Sequence, residues 1–362
     1  MIDASRILRL AAAAAISVFV CLGCGSSATS PKSSEAESSE VNAAGISAPA
    51  LAAAMPASPS SPSTEPASVA AAQTTEAAPP ATQTGGFDGK AAYAQVAKLV
   101  SFGPHPPASE AIRAVQGYIR AQLTSFGCAA DVDDFHAETP IGSLPMENIV
   151  AKIPGTGPGV ILLLTHYDTL RLDGFVGAED AGSSTGLMLE IARDLCRAPK
   201  RESAVWIAFL DGEEAQVVKN GEAQWTDADS VYGSRELAAR LAVSGDLKRV
   251  RGVILADMIG QYDLHILREE NSTKWLKDLV WNTAARLGYK QIFLPTETAI
   301  SDDHDPFLRR GVPAVDIIDL GDYQQSGYWH TTRDTLDKVS ARSLAIVGHV
   351  ILESVAELQA RK

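Results

Sequence analysis

Two glutamates stand side by side in FLDGEEA, residues 209–215, directly after the apolar run 204–208. Like charges at adjacent positions repel, so the pair needs a reason. Opening a helix is one, because negative charge suits the positive N-terminal end of the dipole. A cation shared between Glu213 and Glu214 is the other. Further acids and histidines stand at the ends of apolar runs, His166 and Asp168 after 160–164 and Asp257 after 252–256, and two more lie in loops, Asp180 in the glycine-rich stretch GAEDAGSSTG and His330 in the segment YWHT ahead of the last helix. Two histidines with several carboxylates match the ligand preferences of zinc. In His166-Tyr-Asp168 the carboxylate two residues along can accept one ring N–H and leave the other ring nitrogen for a metal. Each residue alone has an ordinary structural explanation, such as Asp180 capping the helix that follows. Only their joint pattern points to a metal centre.

The elements that would position these residues follow from periodicity. Apolar runs at 148–153, 160–164, 204–210, 252–258 and 313–320 predict strands. Amphipathic stretches at 109–127, 187–195, 234–241, 273–287 and 340–358 predict helices. Strands apolar on both faces that alternate with such helices imply an α/β fold: a mostly parallel, mixed central sheet with helices on both faces. Ligands bind such sheets at the carboxyl ends of the strands, which is where these acids and histidines fall.

Composition bounds the rest. The first 24 residues read as an export signal, with Arg6 and Arg9 ahead of a short apolar stretch. That stretch is shorter than the ~20 residues of a membrane span. Its end, CLGCG, resembles the lipobox of bacterial lipoproteins with Cys24 as the lipidated residue, although Cys21 stands where that box has leucine; a plain cleaved signal peptide is the alternative. Residues 25–86 are Ala, Ser, Pro and Thr with few large apolar side chains, the composition of a disordered tether. Residues 87–362 are left as one catalytic domain. This predicts a cell-envelope protein, its catalytic domain periplasmic or extracellular and joined to the membrane only through a lipid. The net charge of −13 and the lack of a basic stripe exclude a nucleic-acid partner. Beyond the signal region lie Cys128 and Cys196, free to pair if the fold brings them within bridging distance.

The order His-x-Asp, Gly-Ala-x-Asp, Asp-Gly-Glu-Glu, Asp, His resembles the M28 zinc aminopeptidases. That resemblance implies a zinc aminopeptidase-like fold and two zinc sites bridged by Asp180. His166 and Asp257 would complete one site, Glu214 and His330 the other, and Glu213 would be the general base. Longer stretches, including 225–241, 302–318, 135–153 and 102–109, resemble the animal-type glutaminyl-peptide cyclotransferases, a branch of the same fold. By this likeness one zinc sits on Asp180, Glu214 and His330, while Glu213 is the catalytic acid/base and Asp257 and Asp302 are its acidic partners. Trp225, Trp329 and His304 would then face the substrate, a peptide or protein with N-terminal glutamine. The stretch 178–186 is closer to the aminopeptidase style, and an insertion at 216–224 precedes Trp225. The expected activity is therefore cyclisation with one zinc. The alternatives are a two-zinc aminopeptidase and a tethered, non-catalytic binding module.

Overall fold

The computed structural model describes residues 77–361. The export signal, Cys24 and most of the tether lie outside the described residues. In chain order, helices α1 (Gly89–Val100) and α2 (Glu110–Phe126) lead into strands β1 (Ala130–Thr139), β2 (Gly142–Ile153) and β3 (Val160–His166). Helix α3 (Ser184–Arg197), strand β4 (Ala204–Leu210) and a two-stranded hairpin of β5 (Val218–Lys219) and β6 (Glu222–Ala223) come next. Then follow α4 (Tyr232–Ser244), β7 (Val250–Asp257), β8 (Ile266–Glu269), α5 (Lys274–Arg286) and β9 (Phe293–Thr298). Helix α6 (Asp305–Leu308), strand β10 (Ala314–Ile318), α7 (Leu320–Ser326) and the long α8 (Ala341–Ala360) close the chain.

The central sheet has six strands in the order β1-β2-β4-β3-β7-β10. The strands β4, β3, β7 and β10 run parallel, and the hairpin β1–β2 is added antiparallel at one edge. This is the expected mixed α/β sheet. Side chains alternate strictly between its faces. Ile161, Leu163, Ile207, Phe209 and Ile254 pack with helices α1, α2, α3, α5 and α8. Leu162, Leu164, Trp206, Ala208 and Leu255 pack on the other face with Leu237 and Leu241 of α4 and Phe307 of α6. Burial on both faces explains why these strands read as unbroken apolar runs.

Caps fix where the helices begin. Ser109 accepts the Ile112 N–H at 3.0 Å ahead of α2, and Gly127 ends that helix in a left-handed conformation. The α2 terminus is tied to the end of α3 by a Cys128–Cys196 disulfide, whose Cα atoms are 5.5 Å apart.

Candidate metal centre

All four parallel strands end at one edge, and the loops that leave them build the centre. His166 is the last residue of β3 and Asp257 the last of β7. After β4 the chain turns at Gly212, which has φ +73 and whose missing side chain leaves room for the Met146 sulfur. No helix opens at the glutamate pair, since the next one, α4, begins at Tyr232. Dipole compensation is therefore not the reason for Glu213 and Glu214.

Asp180 sits in a single π-helical turn, Ala178–Ser183, that precedes α3, and its own backbone is non-helical. It is not a helix cap, because Ser183 holds that place. The Asp180 carboxylate instead faces both histidines. His166 Nε2 lies 3.2 Å from Asp180 Oδ1 and 3.1 Å from Asp257 Oδ1. His330 Nε2 lies 3.4 Å from Asp180 Oδ2 and 3.5 Å from Glu214 Oε2. Ligands of a tetrahedral ion with bonds of ~2.1 Å stand ~3.4 Å apart, so both sets have the spacing zinc needs. Among the described residues, His166, Asp180 and Asp257 form one ligand-competent group and Asp180, Glu214 and His330 the other.

The electrostatics ask for a cation. Both Glu214 oxygens are buried without a hydrogen-bond partner. Burial pushes the Glu214 carboxyl up to about 8; His330 opposes this and Asp180 adds to it. Burial likewise raises Glu213 well above the usual carboxylate range, against His166, with Asp302 and Glu214 contributing. Burial raises Asp302 too, helped by Asp316 and Asp257. A divalent ion relieves this mutual repulsion, so the residues present fit zinc.

A polar frame holds the ligands. His166 Nδ1 faces Asp168 Oδ1 at 3.4 Å. The same carboxylate accepts the backbone N–H of Glu213 at 3.1 Å and of Glu214 at 3.3 Å. Asp334 accepts the N–H of Glu179 at 2.8 Å and of Asp180 at 3.2 Å. Glu179 in turn accepts from Gly260 and Gln261 at 2.7 and 3.1 Å, fixing the turn beyond Asp257. Sequence reading did not single out Glu179 or Asp334. Their bonds run to backbone amides far along the chain and leave no spacing signal.

A cleft of about 630 Å3 opens over the centre, lined by Asp180, Glu213, Asp257, Asp302 and His330 at its base. Trp225 and Trp329 line it as well, together with Met258, Ile300, Ile318 and Leu320. The Trp329 ring stacks on His330 with centroids 4.1 Å apart, and Phe175 meets the same imidazole edge-on at 6.2 Å. His330 and Met258 both have left-handed backbones, φ 50 and 44, a costly conformation held at a functional wall. His304 does not reach this cleft, contrary to the expectation of a substrate contact. Its ring is fully buried, Nε2 lying 3.2 Å from Glu269 Oε2, because the short helix α6 turns it inward.

The profile described as Peptidase family M28 matches residues 148–355, more than half of the chain. The chain is 30% identical over 292 residues to a glutaminyl-peptide cyclotransferase of Bothrops jararaca, covering 68% of this chain and 76% of that one. The chain belongs to the M28 family, in its glutaminyl-peptide cyclotransferase branch. Solved structures agree with this M28 assignment. A glutaminyl cyclase from an Acidobacteriales bacterium matches with 38% identity and TM-score 0.70, over 76% of this chain and 96% of that one. A Zn-dependent exopeptidase from Parabacteroides distasonis matches with 27% identity and TM-score 0.68, over 76% and 99%. A glutaminyl cyclase and a Zn-dependent exopeptidase thus share this fold.

Proposed function

We propose that this M28 chain is a zinc-dependent glutaminyl-peptide cyclotransferase, converting an N-terminal glutamine to pyroglutamate and releasing ammonia. The observation that carries this reading is Glu213 at the base of a tryptophan-walled cleft beside the Asp180, Glu214 and His330 group. Those three residues would hold the ion, whose contribution is Lewis-acid polarisation of the side-chain amide carbonyl. Glu213 takes a proton from the α-amine as its nitrogen bonds to the side-chain carbonyl carbon. It then delivers that proton to the amide nitrogen, the C–N bond breaks and ammonia departs. Its raised affinity for protons, set by burial, suits a group that must both accept and give. Asp302 adds to that tuning, and Asp257 acts on Asp302. Trp225, Trp329 and the apolar side chains around them exclude water and hold the substrate folded on itself, so proximity supplies much of the rate.

The complete second group, His166, Asp180 and Asp257, supports a second reading, a two-zinc aminopeptidase with Glu213 as base. A non-catalytic binding module has less support, since Glu213 and both ligand groups are intact. Zinc-loaded protein incubated with one peptide beginning Gln and another beginning Leu separates the three. The expected result is loss of ammonia from the Gln peptide, the Leu peptide unchanged and one zinc per chain. Free leucine with two zincs would establish the peptidase, and two untouched peptides the binding module.

The same proposal extends to place. Residues 1–24 serve as a lipoprotein export signal with Cys24 acylated, residues 25–76 as the tether, and residues 77–362 as the exported catalytic domain. That domain starts before the expected residue 87 because Ala81–Gln83 form a 3-10 turn and the buried Thr84 donates to the Phe87 carbonyl at 2.7 Å. The Cys128–Cys196 bridge supports export, because disulfides persist in oxidising compartments. Membrane fractionation of wild type and Cys24→Ala tests the anchor, the variant being expected in the soluble fraction.

A further inference from the structure

The insertion between Glu214 and Trp225 is a built wall of the cleft. Its turn is Asn220-Gly221, both left-handed with φ 54 and 81, the pair that two-residue hairpin loops favour. Its base is tied down: Gln216 and Val217 each donate a backbone N–H to the Asp229 carboxylate at 3.0 Å, and the Gln224 N–H donates to the Val217 carbonyl at 2.8 Å. The hairpin lays Gly221, Glu222 and Ala223 along the cleft that also holds Glu213 and Trp329. Glu222 is exposed, whereas Glu213 is buried. One is therefore at the mouth and the other at the base. No lysine or arginine is among the described residues lining the cleft. A peptide whose terminal glutamine reaches Glu213 leaves through that mouth, where Glu222 is the exposed charged side chain among the described lining residues.

We propose that Glu222 selects substrates with a lysine or arginine within two positions after the N-terminal glutamine and disfavours those with an acid there. The proposal rests on the cyclotransferase reading and adds a specificity residue to it. An exposed charge pair changes affinity by about fivefold at most, and salt weakens it over a Debye length of ~8 Å. The contact lies away from the reacting atoms and is the same in ground and transition states, so it acts through KM and leaves kcat alone. Lys219 is opposite Glu222 in the hairpin register and does not line the cleft. Opposite charges across a strand pair attract, so in this proposal Lys219 opposes the selection.

The test uses the full chain loaded with zinc and follows ammonia release from Gln-Lys-Ala, Gln-Ala-Lys, Gln-Ala-Ala and Gln-Glu-Ala. Either lysine peptide should exceed Gln-Glu-Ala in kcat/KM by about fivefold, through KM, and less so when salt is raised. Glu222→Gln should bring that ratio down towards one, and Lys219→Gln should raise it. Equal KM values across the four peptides, or a ratio that survives in Glu222→Gln, would overturn the proposal while leaving the cyclotransferase standing. No ammonia from any of the four would remove both.

Discussion

In the proposed mechanism Glu213 is a base towards an amine and an acid towards a leaving nitrogen within one turnover. Replacing its carboxyl with an amide removes the proton shuttle but keeps the size. Glu213→Gln should therefore lose about 10²–10⁴-fold in kcat while binding as much zinc as the wild type, a combination read by ammonia release and metal analysis. Loss of zinc in step with activity would make Glu213 a ligand instead. Asp168 acts differently, through other residues. It faces His166 Nδ1 and holds the backbone of both glutamates, so one carboxylate orients a ligand, a ligand's backbone and the base. Asp168→Ala should weaken zinc binding by about 10–100-fold, measured by competition with a chelator, and should lower activity even at saturating zinc. His166, Glu213, Glu214 and Asp257 were legible in the sequence because each ends or follows an apolar run that stops at one sheet edge, whereas Asp180 and His330 lie in loops and were legible only through their place in the motif order. The frame that aims them was less so: Asp168 stands in a motif, whereas Asp334 and Glu179 are ordinary acids until the fold brings backbone amides to them.

At the scale of elements, a buried ion pair joins Glu269 at the end of β8 to His304, the residue ahead of α6 and two positions after the cleft-lining Asp302. Burial alone would lower the His304 ring, but its bond to Glu269 and the Asp316 charge raise it above its ordinary value. Burial would raise Glu269, yet His304 and the backbone N–H of Asn271 bring it down to about 2. A raised histidine stabilises the fold below its unfolded value of ~6.5 and loses that contribution as pH climbs through the folded value. A depressed glutamate stabilises above ~4.3 and loses its contribution as pH falls towards the folded value. Their contributions coincide in the window between. The gap in melting temperature between wild type and His304→Gln should thus be widest near pH ~5.5 and narrow as pH rises beyond the unfolded ~6.5 and through the raised folded value. A gap that stays constant with pH would mean that the ring contributes by packing alone. This pair also shows where periodicity is silent. The strands β3, β4, β7 and β10 announce themselves because both their faces are buried. Strand β1, ADVDDFHAET, is a half-exposed edge strand and reads as a polar loop. The hairpin β5–β6 is too short to have a period and shows only as an insertion against the relatives' pattern. His304 falls in a stretch that matches those relatives, yet only the geometry of α6 shows that its ring turns away from the cleft.

Over the whole molecule, one covalent link joins parts that packing alone would have to keep together. The Cys128–Cys196 bridge spans 68 residues, from the end of α2 to the end of α3, and the segment it closes contains β1, β2, β3 and Asp180. In the chain-entropy account, closing a loop of this length removes freedom from the unfolded chain equivalent to about 4 kcal/mol. Neither cysteine lines the cleft, and the ligands are set by strand ends and by Asp168 and Asp334, so the native centre does not need the bridge for its geometry. The Cys128→Ser/Cys196→Ser variant should consequently melt about 10 °C lower, with kcat at 25 °C close to that of the wild type. Unfolding of both proteins followed with and without a thiol reductant checks this, since reductant should shift only the wild type. An oxidising compartment then supplies stability that a reducing one withholds, and the variant should match the wild type in yield when both are made in a reducing cytoplasm. Equal melting temperatures in oxidising buffer would show that the bridge does not stabilise the fold, and would remove the structural support for export.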